Sequence, residues 1–110
     1  MIKNRIEAIQ STIETAQNIP RERKAELSNL VAELSAEIQR LAETHHDQAS
    51  SITRFADASA REVSRSEKNP QLADTAIRGL LASIEGLEES HPAIVGIVNR
   101  FATALSNMGL

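Results

Sequence analysis

The sequence contains no cysteine, no tryptophan and no tyrosine, and each absence excludes a class of site. Without cysteine there can be no disulfide framework, no thiolate metal ligand and no thiol nucleophile. The two phenylalanines give little support for stacking on bases or sugars. Four glycines and three prolines are few for a sheet protein, which needs many turns. These absences favour a helical protein without cysteine chemistry.

The length and charge of the chain narrow the range of partners. Its 110 residues correspond to one domain, and its formal net charge of −3 argues against binding nucleic acid by neutralising phosphates. No stretch approaches the roughly 18 apolar residues that span a bilayer. Lys3, Arg5 and Glu7 stand where a signal peptide would need an apolar run. We therefore expect a cytoplasmic protein that binds neither nucleic acid nor membrane.

Three prolines divide the sequence into segments with a helical period. Pro20, Pro70 and Pro92 can each occupy the first turn of a helix, and Asn69 is a suitable N-cap before Pro70. Between them, apolar residues recur at spacings of three and four, which predicts amphipathic helices. The apolar stripes cover residues 2–16, 27–41, 73–87 and 94–108.

The stretch 45–68 contains neither glycine nor proline, and its pattern allows two interpretations. One continuous helix can run from about 20 to about 68, or the helix breaks within 46–51. In the second case the new helix has three candidate capping residues, Asp47, Ser50 and Ser51. Large apolar side chains are sparse here, namely Ile52, Phe55 and Val63. We expect this segment to be less deeply buried than its neighbours.

The short proline turns predict antiparallel neighbours. The expected fold is a single all-α domain of two antiparallel helical hairpins, residues 1–44 and 70–110, joined by a polar helical connector at 45–69. Its packing is that of a bundle or coiled coil. The last helix is apolar almost all round, so we predict a homo-oligomer. The predicted interface residues are Ile94, Val98, Phe101, Leu105 and Met108.

Two features reduce the predicted stability of the helices. Gly79 and Gly86 lie one heptad apart in the fourth segment, either because another helix approaches closely there or because solvent-facing glycine is tolerated. Charge clusters also stand at the unfavourable ends of two helices, where they either meet each other or stay solvated. They are Arg21, Arg23 and Lys24 at the start of the second helix, and Glu85, Glu88 and Glu89 at the end of the fourth.

Candidate metal ligands are confined to one short cluster and one histidine elsewhere. They are His45, His46, Asp47 and His91. Adjacent histidines on a helix point about 100° apart, so His45 and His46 are poorly placed to bind one ion together. Glu43 offers helical spacing to His46 and Asp47, and His91 can join from a turn. Polar residues at a helix break explain the cluster better than a metal site does.

The run IEGLEESHPAIVGIVNRFATALSNMGL, residues 84–110, resembles short bacterial proteins of the family called domain of unknown function 4404. The shared elements are an acidic helix, His91-Pro92, and a second helix with an Asn-Met-Gly-Leu ending. Residues 21–41 are similar to the family's first half. The resemblance implies no assigned activity, so it brings no catalytic residue or cofactor. Physically, Gly109 fits a left-handed helix stop, with Leu110 covering Leu105.

The sequence therefore favours a non-enzymatic helical interaction or scaffold protein that self-associates, with no cofactor. Its partner is not specified by any motif. The alternatives are a metal-binding helical bundle that uses Glu43, His46, Asp47 and His91, and a peripheral membrane binder that uses the last helix. The polar strip of that helix carries one arginine and no lysine, unlike the basic face of such binders.

Overall fold

A computed structural model describes residues 2–109 of the chain as five α-helices, with no β-strand among those residues. The all-α prediction is thus confirmed. The helices pack into a body with a Cα radius of gyration of 12.8 Å. They are α1 (Ile2–Thr15), α2 (Arg21–Thr44), α3 (His46–Val63), α4 (Pro70–Ala82) and α5 (Pro92–Gly109).

Prolines mark the start of three helices, as the sequence predicts. Pro20 is the N-cap of α2, and Pro70 and Pro92 are the first residues of α4 and α5. The Asn69 side chain accepts a hydrogen bond of 3.2 Å from the Leu72 amide. This bond satisfies one of the amides that a helix start leaves without a partner. The predicted N-cap at Asn69 is therefore confirmed.

His45 separates α2 from α3, so residues 20–68 form two helices. Its φ of −136° and ψ of 63° lie outside the helical region. The break comes just before the predicted capping residues, and no side chain caps α3. Backbone bonds bridge the break instead: the His45 amide donates to the Leu41 carbonyl, and the Ala49 amide donates to the His45 carbonyl.

Helix α3 is the centre of the fold, and it contacts each of the other four helices. The expectation that this segment is less deeply buried is wrong. Its inward face is built from small as well as large residues, all at most 1% exposed: Ala49, Ile52, Ala56, Ser59, Ala60 and Val63. Small side chains add little to an apolar pattern, but they let neighbouring helices approach closely.

The apolar stripe of α5 is covered within the single chain. Four of the five predicted interface residues, Ile94, Val98, Phe101 and Leu105, are at most 1% exposed, and Met108 is partly buried against the same core. They belong to the core and do not form a free interface. The physical reason is that α2, α3 and α4 all pack on α5.

In residues 2–109, no helix has the length and apolar character that crossing a bilayer would require.

Helix α4 ends at Ala82, before the predicted stripe 73–87 is complete. The chain then turns, and Gly86 takes a left-handed φ of 91°. Its amide donates a 2.9 Å hydrogen bond to Glu88 Oε1. Gly86 is therefore a turn residue, and the prediction that it lies inside the fourth helix is wrong. Glu85, Glu88 and Glu89 accordingly lie between two helices and do not close α4.

Helix α5 runs through Gly109. The predicted helix stop needs Leu110 to cover Leu105, and Leu110 lies outside the described residues. That part of the prediction stays a prediction. Near this end of α5, the Met108 carbonyl accepts a 2.8 Å hydrogen bond from Lys68 Nζ.

Candidate functional site

The outward side of α2 carries a strip of short side chains among longer charged ones. Its members Ala25, Asn29, Ala32 and Ala36 are all exposed. Their spacing of four, three and four residues places them on one face of the helix. We call this strip the α2 outer face. It presents few atoms beyond Cβ, so another helix can approach it closely.

A groove of 490 Å³ runs beside the α2 outer face, between α2 and α5. Its floor is apolar, with Leu30 6% and Ala104 4% exposed. Amide side chains line it, namely Asn29, Asn99 and Asn107. We call this feature the α2/α5 groove. An apolar floor under polar walls resembles the composition of non-obligate protein interfaces.

Charges of both signs border the α2/α5 groove in equal number. Arg23 Nη1 lies 3.2 Å from Glu26 Oε1, and Arg100 Nη2 lies 3.6 Å from Glu33 Oε1. All four side chains are about half exposed, with relative accessibilities between 46% and 59%. Such exposed pairs contribute little to stability, so they remain free to exchange partners. The groove therefore has mixed polarity and no excess charge.

The basic cluster that opens α2 pairs with groups near it. Lys24 Nζ donates a 3.0 Å hydrogen bond to the carbonyl of Glu14, in the last turn of α1. A positive charge there satisfies an orphan carbonyl and favours the negative end of the α1 dipole. Arg23 contacts Glu26 of its own helix. In the described residues, neither of these two partners belongs to the acidic cluster at 85–89.

The candidate metal ligands are only partly brought together. The rings of His45 and His91 lie 5.4 Å apart between centroids, at an interplanar angle of 79°. His46 instead faces its neighbour, with Nδ1 3.9 Å from Asp47 Oδ1. Within residues 2–109, no three His, Cys, Asp or Glu side chains converge on one point. The predicted set therefore separates into a His45–His91 pair and a His46–Asp47 pair.

Asp57 is a buried carboxylate that connects α1 with α3. Its side chain is 3% exposed, and Oδ2 lies 3.2 Å from Arg5 Nη1 and 3.1 Å from Arg61 Nη2. The second oxygen, Oδ1, is buried without a hydrogen-bond partner in the described residues. The sequence predicts the Arg61 pair from its four-residue spacing, but not the pair with Arg5. Nothing in the pattern around Arg5 points to Asp57, 52 residues away.

Comparison with known proteins gave no match to a family model, a curated protein or a solved structure. The resemblance of residues 84–110 to domain of unknown function 4404 accordingly stays a prediction.

Proposed function

We propose that this protein is a non-enzymatic helical interaction protein that self-associates through α2. The observation that carries the proposal is the position of the α2 outer face directly beside the α2/α5 groove. In the assembly, the α2 outer face of one copy lies in the groove of its partner. The residues predicted from sequence to form the interface lie in the core, so the proposal uses a different surface.

Shape supports this proposal. Helices associate by setting the side-chain ridges of one into the groove of another. The α2 outer face, with its exposed alanines, is a low ridge, and the α2/α5 groove has a buried floor formed by Leu30 and Ala104. Ridge and groove lie on one surface, so a two-fold axis beside α2 brings each ridge to the partner's groove.

Charge balance also supports a second copy as the occupant. A two-fold interface sets one surface against itself, so an excess of either sign would be repulsive. The borders of the groove carry two arginines and two glutamates, which makes the surface self-complementary. A partner of one dominant charge, such as nucleic acid, finds no corresponding excess on this face.

The proposed surface also spans the two predicted hairpins. Helix α2 belongs to the predicted hairpin 1–44 and α5 to the predicted hairpin 70–110. Association across the groove would therefore involve both hairpins of each copy. The proposal includes a cytoplasmic location, because self-association through α2 needs neither an oxidising compartment nor a lipid surface.

Sedimentation velocity over a range of protein concentrations tests the proposal. We expect a reversible dimer in the unmodified protein. Ala32→Glu sets a charged side chain on the α2 outer face and should weaken the dimer at least tenfold, equivalent to about 1.4 kcal/mol. Because Ala32 is exposed, the melting temperature of the monomer should stay nearly unchanged.

Ala82→Glu is the matched control, since Ala82 is also exposed and α4 does not contact α2. It should leave the dimer unaffected. A chain that stays monomeric at high micromolar concentration would overturn the proposal. So would a dimer that tolerates Ala32→Glu as well as it tolerates Ala82→Glu.

A further inference from the structure

Two histidines from distant parts of the sequence meet at one place in the bundle. His45 occupies the break between α2 and α3, and His91 directly precedes α5. Their ring centroids are 5.4 Å apart. His45 is exposed and His91 is half-buried, so the pair is open to solvent. His45 has a non-helical backbone at the break between the two helices, and this conformation allows the arrangement.

Each ring is oriented by a hydroxyl on the residue before it. Thr44 Oγ1 lies 2.7 Å from His45 Nδ1, and Ser90 Oγ lies 2.9 Å from His91 Nδ1. The Thr44 hydroxyl donates its hydrogen to the Leu41 carbonyl at 3.5 Å. In the tautomer in which Nδ1 carries the hydrogen, Thr44 Oγ1 accepts it and can donate its own hydrogen to that carbonyl.

In that tautomer, Nε2 of His45 is the nitrogen with a free lone pair. Histidines that bind metals commonly have the other ring nitrogen hydrogen-bonded in this way, which fixes both tautomer and ring orientation. The Ser90 hydroxyl can orient His91 in the same sense. Within the described residues, neither Nε2 atom has a hydrogen-bond partner.

The distance between the two ring centroids is close to the distance expected for two histidines that bind the same metal ion. With tetrahedral geometry and both Nε2 atoms about 2.1 Å from the ion, the ring centroids would lie about 5.3 Å apart. The observed separation is 5.4 Å. Neutral imidazole is a good ligand for zinc, nickel and copper. We infer that His45 and His91 form a binding site for a divalent transition-metal ion.

The site offers only two protein ligands. Among residues 2–109 there is no third His, Cys, Asp or Glu close enough to complete a group of three. Water would fill the remaining positions, which makes the site open and weaker than a structural zinc site. His46 does not take part, since its ring faces Asp47 at 3.9 Å and its side chain is 69% exposed.

Zinc titration followed by NMR of the three histidine rings tests this inference. We expect the His45 and His91 ring signals to shift together and saturate at one ion per chain, while the His46 signals stay in place. The melting temperature should rise with zinc concentration, because an ion that binds only the folded state stabilises it. The test is independent of self-association, which uses a different surface.

Single substitutions distinguish a two-histidine site from binding to any surface histidine. His45→Ala and His91→Ala should each weaken zinc binding at least tenfold, and the metal-free variants should stay folded because these side chains are not in the core. His46→Ala is the matched control and should bind zinc as the unmodified chain does. If His46→Ala weakens binding as much as the others, or if His45→Ala and His91→Ala leave it unchanged, the inference is wrong.

Discussion

The ring of Phe55 on α3 lies against the backbone of Gly79 on α4, where any larger residue would overlap it. A Cβ on Gly79 would come within 3.1 Å of Phe55 Cζ and still closer to two other ring atoms. Phe55 is nevertheless 41% exposed, so one side of the ring faces solvent. Of the two explanations for this glycine, close approach is the correct one.

Gly79→Ala should destabilise the fold by about 1–2 kcal/mol, because the overlap with the ring outweighs the gain in helix propensity. Phe55→Ala removes the obstacle. In that background, Gly79→Ala should stabilise by about 0.5–1 kcal/mol, the ordinary effect of replacing a helical glycine. Urea unfolding of the four variants measures this reversal. An equal effect of Gly79→Ala in both backgrounds would contradict the contact.

Local signals in the sequence predict the starts of α2, α4 and α5. Proline and the Asn69 cap act through their nearest neighbours, so they can be recognised without knowledge of the fold. Burial of α3 could not be predicted in this way. Ala56 and Ala60 look unremarkable in an apolar pattern, yet both are fully buried because four helices converge on α3.

The candidate sites show the same division between local and distant information. The Asp57–Arg61 pair follows from helical spacing, and it forms. The contacts between Asp57 and Arg5, and between His45 and His91, join residues that are far apart in the sequence. These contacts depend on how the helices pack, and no spacing rule indicates them.

Removing both arginines that face Asp57 should cost more than the sum of the single changes. Arg5 and Arg61 are 45% and 63% exposed, so each alone should contribute less than about 1 kcal/mol. Without both, a carboxylate that is 3% exposed remains buried with no compensating charge. The Arg5→Ala, Arg61→Ala double variant should therefore lose about 3 kcal/mol. Chemical denaturation of the single and double variants measures the difference; strict additivity would contradict this account of Asp57.

The central position of α3 predicts slow amide exchange along its buried face. Ile52 on α3 and Leu34 on α2 are both at most 1% exposed. Ile52→Ala and Leu34→Ala should therefore each lower the free energy of unfolding by about 2–5 kcal/mol. The amides of α3 should exchange only on global unfolding, at rates like those of α2. Hydrogen exchange followed by NMR measures both helices in one experiment. Exchange across α3 well before global unfolding would contradict its central position in the fold.

The glycines at 86 and 96 should respond to alanine in opposite directions. Gly86 has a φ of 91°, a conformation in which a Cβ is unfavourable even though no atom lies within 4 Å of it. Gly86→Ala should therefore destabilise by about 1–2 kcal/mol. Gly96 is an exposed residue inside α5, where a Cβ also meets open space. With helical φ and no obstacle, Gly96→Ala should stabilise by about 0.5–1 kcal/mol.

Thermal unfolding of the two variants separates backbone conformation from packing, because neither added methyl group contacts another atom. Gly86→Asn refines the comparison, since asparagine tolerates the left-handed region better than alanine does. It should recover part of the stability that Gly86→Ala loses. If Gly86→Ala raises the melting temperature as Gly96→Ala does, the turn after Ala82 is not left-handed, and α4 continues toward Leu87 as its apolar pattern first suggested.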